Sequence, residues 1–351
     1  MADHGLASAI KLASNEVALG PLPAVADAIA GATDPSRYPA HGAPALCERL
    51  ADVLSTTPDH IAVGAGSVAL LQQLALAYAG PDDRIAFGWP SFEAYPVFAD
   101  LVGATSVRVP NSGASLDARA IADRLDGEGD AVRLVLVANP NNPTGTALGT
   151  DDLDTIVGAA HPDTLVVIDE AYREFVDDTT VPDAIERYRD RPNVAVLRTF
   201  SKAHGLAALR VGYLVADPVV VDAVGRVLVP FIVSHVAQVA ALASLDHLDD
   251  VAHRCAGVIA ERRRVSSALH GLGVPIPPSS TNFVWLPAGA SSADLGSALE
   301  RRGVVTRVFP DVGIRVTTGT PEENDRFLAS IALALDAESA GGDGLAMGWP
   351  S

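Results

Sequence analysis

The chain has 351 residues, 48% of them hydrophobic, with a mean hydropathy of +0.24 and a formal net charge of −18 at pH 7. This length is enough for a large core and two domains, and the apolar fraction excludes a disordered chain. The acidic balance argues against general nucleic-acid binding, but it does not exclude a small anionic substrate, because local arginines set the field inside a cleft.

Cysteine usage and apolar runs restrict the class of protein further. Only Cys47 and Cys255 are present, and neither a disulfide framework nor a Cys/His metal spacing is indicated. The N-terminus lacks an apolar core of signal-peptide length, and no apolar run is long enough to predict a membrane helix. We therefore expect a cytoplasmic protein without a metal.

The first quarter of the chain contains an irregular arm and a glycine turn. The arm carries Asn15, which is either a surface residue or a ligand contact, and helices are predicted over 23–31 and 43–54. A predicted strand over 61–63 runs into a Gly-Ala-Gly-Ser turn, and a buried helix over 68–78 follows at once. Such a turn directs free backbone N–H groups at an anion, although similar turns also join strands and helices that bind nothing.

The middle of the chain alternates strand and helix patterns. Helices are predicted over 116–125 and 151–160. Together with 61–63, the predicted strands are 84–87, 106–109, 132–138, 165–168, 194–197 and 211–215. This alternation predicts an α/β fold with a mostly parallel, doubly wound sheet of seven strands. Because only a short link precedes 211–215, we expect that strand to run antiparallel.

Polar residues follow three of these strands. Asn142 lies in VLVANPNNPTG, Asp169 and Tyr172 lie in TLVVIDEAYREF, and Lys202 lies in RTFSKAHGLAALR. Ligands of open α/β sheets bind at the carboxyl ends of the strands. A partly desolvated lysine there can form a Schiff base. Taken alone, Lys202 is better read as a solvated loop residue and Asp169 as an ordinary helix N-cap.

The remaining chain predicts a smaller α+β unit. Helical segments are predicted over 219–245, 252–269, 292–301 and 321–335, and strands over 282–286, 304–308 and 313–317. The basic run at 261–264 predicts a solvated helix face. Arg307 and Arg315 lie on the last two strands, where each is a surface residue or a substrate contact.

These patterns suggest a division of the chain. We predict a large domain over 35–240 and a small domain formed by 1–34 and 241–336. The glycine-rich tail over 337–351 is predicted to be disordered.

The motifs in their order resemble one family. Asn-Pro-Thr-Gly, Asp-x-x-Tyr, Ser-Lys and a following Arg resemble the fold-type I pyridoxal-phosphate aminotransferases over residues 10–335. KLASNE, NPNNPTGT and PPSSTNFVWLP resemble the histidinol-phosphate and aromatic amino acid branch. Within it, VGAGSVALLQQL and FGWPSFEAYP resemble the actinobacterial aromatic amino acid aminotransferases.

The resemblance implies pyridoxal phosphate as cofactor and a role for each site residue. Lys202 is implied to carry the cofactor and then to act as general base, and Asp169 to keep the pyridine nitrogen protonated. Tyr172 and Asn142 are implied to reach the ring hydroxyl, and Phe92 to stack on the ring. The implied phosphate contacts are Gly66, Ser67, Thr199, Ser201, Arg210 and, from a second subunit, Tyr38.

The implied substrate contacts are fewer and less specific. Arg315 is implied to bind the substrate α-carboxylate with its planar guanidinium. Arg307 either reaches the substrate side chain or is solvated, and Asn15 and Asn142 complete the set. His41 and His204 depart from the family pattern, and each is either a substrate contact or an inert replacement.

The implied reaction is transamination in a homodimer with shared active sites. The leading hypothesis moves an amino group between an aromatic L-amino acid and a 2-oxo acid such as 2-oxoglutarate. The alternatives are a histidinol-phosphate aminotransferase and a specialised aminotransferase of secondary metabolism. A lyase or decarboxylase on the same fold also fits, because fold does not fix reaction. A cofactor-binding regulator is disfavoured, since the chain has no room for a helix-turn-helix domain.

Overall fold

The computed structural model describes residues 8–32, 34–128 and 132–341. In chain order its strands are β1 (Ile10–Lys11), β2 (Ile61–Gly64), β3 (Arg84–Trp89), β4 (Thr105–Pro110), β5 (Val132–Ala138), β6 (Leu165–Asp169), β7 (Val194–Thr199), β8 (Gly212–Ala216), β9 (Phe283–Leu286), β10 (Val304–Val305), β11 (Arg307–Phe309) and β12 (Gly313–Thr317). Its helices are α1 (Pro23–Gly31), α2 (Pro44–Leu54), α3 (Ser67–Tyr78), α4 (Tyr95–Val102), α5 (Ala118–Glu128), α6 (Thr150–Ala159), α7 (Ala184–Arg187), α8 (Pro218–Val227), α9 (His235–Leu245), α10 (Leu248–Gly271), α11 (Ser292–Glu300) and α12 (Pro321–Gly341).

The largest sheet has seven strands in the order β2-β8-β7-β6-β5-β3-β4. Strand β8 runs antiparallel to both of its neighbours, and the other pairings in this sheet are parallel. The predicted mostly parallel, doubly wound sheet is therefore confirmed. The antiparallel direction predicted for the strand after Arg210 is also correct.

Helices cover both faces of this sheet. On one face, side chains of β5, β6 and β7 pack against α2, α5, α6 and α9, and on the other against α3, α4 and α8. Burial on both faces explains why these strands read as continuous Val, Leu and Ile runs rather than as alternating patterns. Helix α3 is less enclosed than predicted, because Val68 and Leu76 are exposed at its surface.

Two small sheets lie in the C-terminal part of the chain. Strands β11, β12 and β9 form an antiparallel sheet, and the arm strand β1 pairs with β10 in parallel. The strand predicted over 304–308 is thus interrupted at Thr306, and its two halves belong to different sheets. The arm is fixed further by the Thr317 N–H, which donates to the Leu12 carbonyl at 2.9 Å.

The basic run on α10 is only partly solvated. Arg262 is 3% exposed and donates to the carbonyls of Phe175 and Thr281 at 2.9 and 2.8 Å. It also forms an ion pair with Asp177 at 2.7 Å. The prediction of a solvated face is therefore wrong for Arg262, because one side of α10 packs against the 173–177 turn and the start of β9.

The chain end departs from the sequence-based boundaries. Helix α12 extends to Gly341, beyond the predicted helix end at 335 and into the predicted tail. The rest of that tail, 342–351, lies outside the described residues. The division into domains at 35–240 and 241–336 stays a prediction. Within the described ranges, no helix has both the length and the apolar character needed to cross a bilayer.

Candidate active site

A cavity of about 260 Å³ lies where the carboxyl ends of β5, β6 and β7 meet the arm and β12. Most of the predicted site residues line it: Asn15, Ser67, Phe92, Asn142, Asp169, Tyr172, Thr199, Ser201, Lys202, Arg210 and Arg315. Because several of these residues follow the carboxyl ends of neighbouring strands, residues that are far apart in sequence meet in one cavity.

Lys202 follows β7 and extends towards the arm. Its Nζ donates to the backbone carbonyls of Ser14 and Asn15 at 3.2 and 3.1 Å. Burial, together with the positive charge of Arg315, lowers the pKa of Lys202 from 10.5 to about 8. A larger fraction of the amine is therefore neutral near pH 7 than for a surface lysine, and the neutral amine is the form that attacks a carbonyl carbon or accepts a proton.

Asp169 is the last residue of β6 and is only 7% exposed. Its Oδ1 accepts the Ala171 N–H at 3.2 Å. Among the residues that the structure describes, no arginine or lysine forms an ion pair with it. Burial raises the pKa of Asp169 to about 6. A buried carboxylate without a cationic partner is suited to bind a protonated ring nitrogen.

Tyr172 lies three residues beyond Asp169 and faces the same cavity. Its hydroxyl oxygen accepts a hydrogen bond from Asn15 Nδ2 at 2.8 Å, and its ring packs edge-on against Phe283. The Lys202 Nζ lies 5.8 Å from the centre of the Tyr172 ring. The phenol is thereby held in place next to the lysine amine.

An anion site lies at the start of α3. Gly66 adopts a φ of +81°, and a Cβ built there would lie 2.2 Å from Arg210 Nη2. The side chain of Arg210 is fixed by its donation from Nη1 to Ser201 Oγ at 3.0 Å and to the Ala207 carbonyl at 2.9 Å. Only glycine leaves this space beside the guanidinium, the helix N-terminus and the hydroxyl of Ser67. These groups fit a phosphate.

Arg315 lies on β12 and extends into the cavity. Its guanidinium donates to Asn142 Oδ1 and, at 2.7 Å, to the Ala13 carbonyl. Its Nε has no hydrogen-bond partner among the described residues. Its acceptors are all uncharged, so the positive charge of Arg315 is available to an anionic ligand.

Three predicted site residues do not line this cavity. Gly66 acts through the space it leaves for Arg210, as described above. Arg307 lies beside the cavity, where its Nη2 donates to Oε1 of the lining residue Glu93 at 2.7 Å. Tyr38 is 82% exposed and stacks on Phe231 at 4.7 Å, so within one chain it contributes nothing to the cavity.

The two histidines that depart from the family pattern also lie away from the cavity lining. His204 is buried, with Nδ1 2.7 Å from Ser244 Oγ. Burial and the charge of Arg254 lower its pKa to about 4, so it is a neutral packed residue. The ring of His41 lies edge-on to Phe231 at 5.7 Å.

Sequence reasoning missed two polar residues of the cavity lining, Ser14 and Glu93. Glu93 follows Phe92 in the loop after β3. Its position beyond the carboxyl end of a strand is the sequence signal that could have identified it. Ser14 contributes its backbone carbonyl to Lys202, and a backbone contact leaves no mark in the residue pattern.

Family comparison gives the class that this fold and site define. Residues 7–331 match the model of the family described as aminotransferase class I and II, and the chain belongs to this family. The chain is 50% identical over 337 residues to an aromatic amino acid aminotransferase of Rhodococcus jostii (strain RHA1), covering 94% of this chain and 91% of the relative. It is 49% identical over 319 residues to the enzyme of the same name from Thermobifida fusca (strain YX), covering 91% and 88%.

Solved structures agree with the fold. A histidinol-phosphate aminotransferase from Sinorhizobium meliloti, in complex with pyridoxal-5′-phosphate, superposes with a TM-score of 0.88 at 30% identity. The match covers 96% of this chain and 93% of that one. The aspartate aminotransferase of Thermus thermophilus with maleate has a TM-score of 0.81 at 22% identity, over 93% and 92%, and shows the shared fold alone.

Proposed function

We propose that this protein is a pyridoxal-phosphate-dependent aminotransferase that moves an amino group between an aromatic L-amino acid and a 2-oxo acid such as 2-oxoglutarate. The observation that carries this proposal is the convergence of Lys202, Asp169 and Arg315 on one cavity. The names of the relatives at about half identity support the aromatic substrate. The cofactor bound in the Sinorhizobium structure supports pyridoxal phosphate.

The residues present suit this cofactor. Lys202 would hold it covalently, Asp169 would bind its ring nitrogen, and Phe92 would lie on its ring. Its phosphate would bind Arg210 and the groups around it, namely Gly66, Ser67, Thr199 and Ser201. Tyr172 and Asn142 would contact its ring hydroxyl. When bound, pyridoxal phosphate supplies an electron sink that stabilises negative charge at the substrate Cα.

The side chains of the protein perform the positioning and the proton movement. Arg315 exchanges its contacts with Asn142 and the Ala13 carbonyl for the substrate α-carboxylate, and this fixes which Cα bond faces the lysine. Lys202 then removes the Cα proton as a neutral amine, for which its lowered pKa prepares it. Tyr172 and Asn15 hold the arm carbonyls near Lys202, so the amine keeps hydrogen-bond acceptors while it moves the proton.

A second candidate is histidinol-phosphate transamination. The observation that favours it is the position of Arg307 directly across from Arg315 in the β11–β12 register. Two neighbouring arginines suit the doubly charged phosphate of such a substrate.

The two candidates are separated by comparing donors. We expect a higher kcat/KM for phenylalanine or tyrosine than for histidinol phosphate, with 2-oxoglutarate as acceptor in one buffer. A preference for histidinol phosphate above about tenfold, or ~1.4 kcal/mol, would reverse the choice of substrate. A half-reaction with each donor alone, followed by cofactor absorbance, gives the same answer without the acceptor.

We also propose a homodimer with shared active sites. The exposed Tyr38, stacked on the partly exposed Phe231, is available to a second subunit rather than to its own cavity. Light scattering of the cofactor-loaded enzyme at assay concentration should give a dimer mass, and an active monomer would contradict this. A cytoplasmic location is part of the same proposal, and fractionation of the native cells would test it.

A further inference from the structure

An ion pair joins the lining of the cavity to the neighbouring strand β11. Arg307 Nη2 donates to Glu93 Oε1 at 2.7 Å, and the two side chains are 49% and 45% exposed. Glu93 belongs to the loop between β3 and α4 and lines the cavity, whereas Arg307 belongs to β11. The pair therefore joins the loop after a strand of the large sheet to the small antiparallel sheet, at one side of the cavity.

The arginine of this pair is the neighbour of the proposed carboxylate-binding residue. Arg307 and Arg315 are direct cross-strand partners, and their guanidinium carbons lie 5.7 and 5.8 Å from the centre of the Phe309 ring. Their surroundings differ in charge. Arg315 has uncharged acceptors, while Arg307 is paired with a carboxylate. Of the two positive charges at this edge of the cavity, one is thus neutralised by the protein itself.

We propose that Glu93 is a specificity-determining residue that sets how much negative charge a substrate can carry. This rests on the proposed aminotransferase function. With Arg307 paired, one arginine charge remains for one carboxylate, which matches an amino acid with an uncharged aromatic side chain. A dicarboxylate or a phosphate ester must displace Glu93 from Arg307 before its second negative charge is balanced.

Because the Glu93–Arg307 pair is exposed, a substrate with a second negative charge should bind more weakly but should not be excluded. Half-exposed ion pairs are screened by water and are weak, so a substrate anion can replace Glu93. A dicarboxylic 2-oxo acid is therefore accepted, but at a higher concentration than it would need if Arg307 were free. An uncharged side chain leaves the pair intact.

The direct test measures binding of unreactive probes to the cofactor-loaded enzyme. The probes are 3-phenylpropionate, with one carboxylate, and glutarate, with two. In Glu93→Gln the ratio of the two Kd values should shift about fivefold in favour of glutarate, because Arg307 loses its internal partner. The matched control is Asp246→Asn, which neutralises the carboxylate of the exposed Arg49–Asp246 pair at 2.9 Å and should leave the ratio unchanged.

A kinetic experiment distinguishes substrates with a second carboxylate from substrates with a phosphate. The kcat/KM values of glutamate and of histidinol phosphate, each divided by that of phenylalanine, should rise in Glu93→Gln. A rise for glutamate alone assigns Arg307 to a distal carboxylate, and a rise for histidinol phosphate alone assigns it to a phosphate. The double variant Glu93→Gln with Arg307→Met should lose either gain.

Two results would overturn the proposal: an unchanged Kd ratio in Glu93→Gln, or a gain that survives in the double variant. If Glu93→Gln fails to fold, Arg307→Met must shift the ratio towards 3-phenylpropionate, and no shift there also overturns it. Failure of the proposed function has a different signature. The unaltered enzyme would then turn over no aromatic donor, while the probe ratios would still be measurable.

Discussion

Asp169 and Glu170 are adjacent acidic residues at the end of β6, and both are buried, yet their surroundings differ in kind. Glu170 accepts two hydrogen bonds from Arg198, at 2.9 and 2.7 Å, and one from the Ala184 N–H at 3.0 Å. Asp169 forms no ion pair with any arginine or lysine of the described chain. Because successive side chains at a strand end point to opposite sides, one carboxylate faces a buried ion-pair network and the other faces the cavity.

We interpret this difference as one between a structural charge, on Glu170, and a charge that awaits a ligand, on Asp169. A buried carboxylate is costly unless it is paired, and the protein pairs Glu170 with Arg198, which also contacts Asp183 at 2.8 Å. The protein leaves Asp169 unpaired and its pKa raised. An unpaired buried charge in a cleft indicates that a ligand supplies the missing partner.

Replacement of Lys202 should have the largest effect of all. Lys202→Ala removes the proposed general base and the site of cofactor attachment, and kcat should fall by at least roughly 10²–10⁴-fold. The sequence contains only two lysines, so Lys11→Ala is the matched control and should keep activity. Borohydride reduction of the loaded enzyme followed by peptide mapping should label the Lys202 peptide. Label on Lys11 would remove Lys202 from the site.

Removing the charge of Glu170 should lower the stability of the fold rather than the activity. Glu170→Ala leaves the buried Arg198 with Asp183 as its remaining ion-pair partner among the described residues, and the free energy of unfolding should fall by about 3–5 kcal/mol. Urea unfolding followed by circular dichroism measures this. A loss below about 1 kcal/mol would show that the network contributes little to stability.

Removing the charge of Asp169 should lower activity rather than stability. Asp169→Asn should lose most activity while still binding the cofactor, since a lost charge-assisted hydrogen bond costs roughly 1.5–3 kcal/mol. Its apoenzyme should be no less stable than the unaltered apoenzyme at pH 7. Near-normal turnover would exclude Asp169 from the site.

The stability of the apoenzyme should depend on pH through the carboxylate of Asp169. Burial raises the pKa of Asp169 above its unfolded value, so the folded state binds a proton more tightly. Its contribution to stability is therefore present below about pH 4 and is lost as the pH rises through about 6. Unfolding of the Asp169→Asn apoenzyme across this range should lack that decline.

The smallest expected effect is a shift in how the apoenzyme takes up its cofactor with pH. Attachment needs the neutral amine, so its rate should rise to about pH 8 and then level off. In Arg315→Gln the loss of a nearby positive charge should raise the pKa of Lys202 and move this profile to higher pH. Cofactor absorbance after mixing measures both profiles, and identical profiles would show that Arg315 has no influence on the amine.

The sequence allowed prediction of the parts that depend on local pattern. Buried strands are apolar runs, and ligand sites of open α/β sheets lie at their carboxyl ends, which places Asp169 and Lys202 in the candidate site without knowledge of the contacts. The Glu93–Arg307 pair joins residues 214 positions apart, so neither side chain indicates the other. The burial of Arg262 likewise depends on carbonyls supplied by distant segments. The interruption at Thr306 has no signal, since the residues on both sides favour strands.

That interruption has a consequence for how relatives of this chain can diverge. Residues before Thr306 pair with the arm that holds the Lys202 acceptors, and residues after it pair with β12. A one-residue change in the register of β11 against β12 would turn Arg307 to the opposite face of its sheet, because side chains alternate with a period of two. The arm pairing would be unaffected. Relatives can thus diverge in the charge beside the cavity while the arm contacts of Lys202 are inherited unchanged.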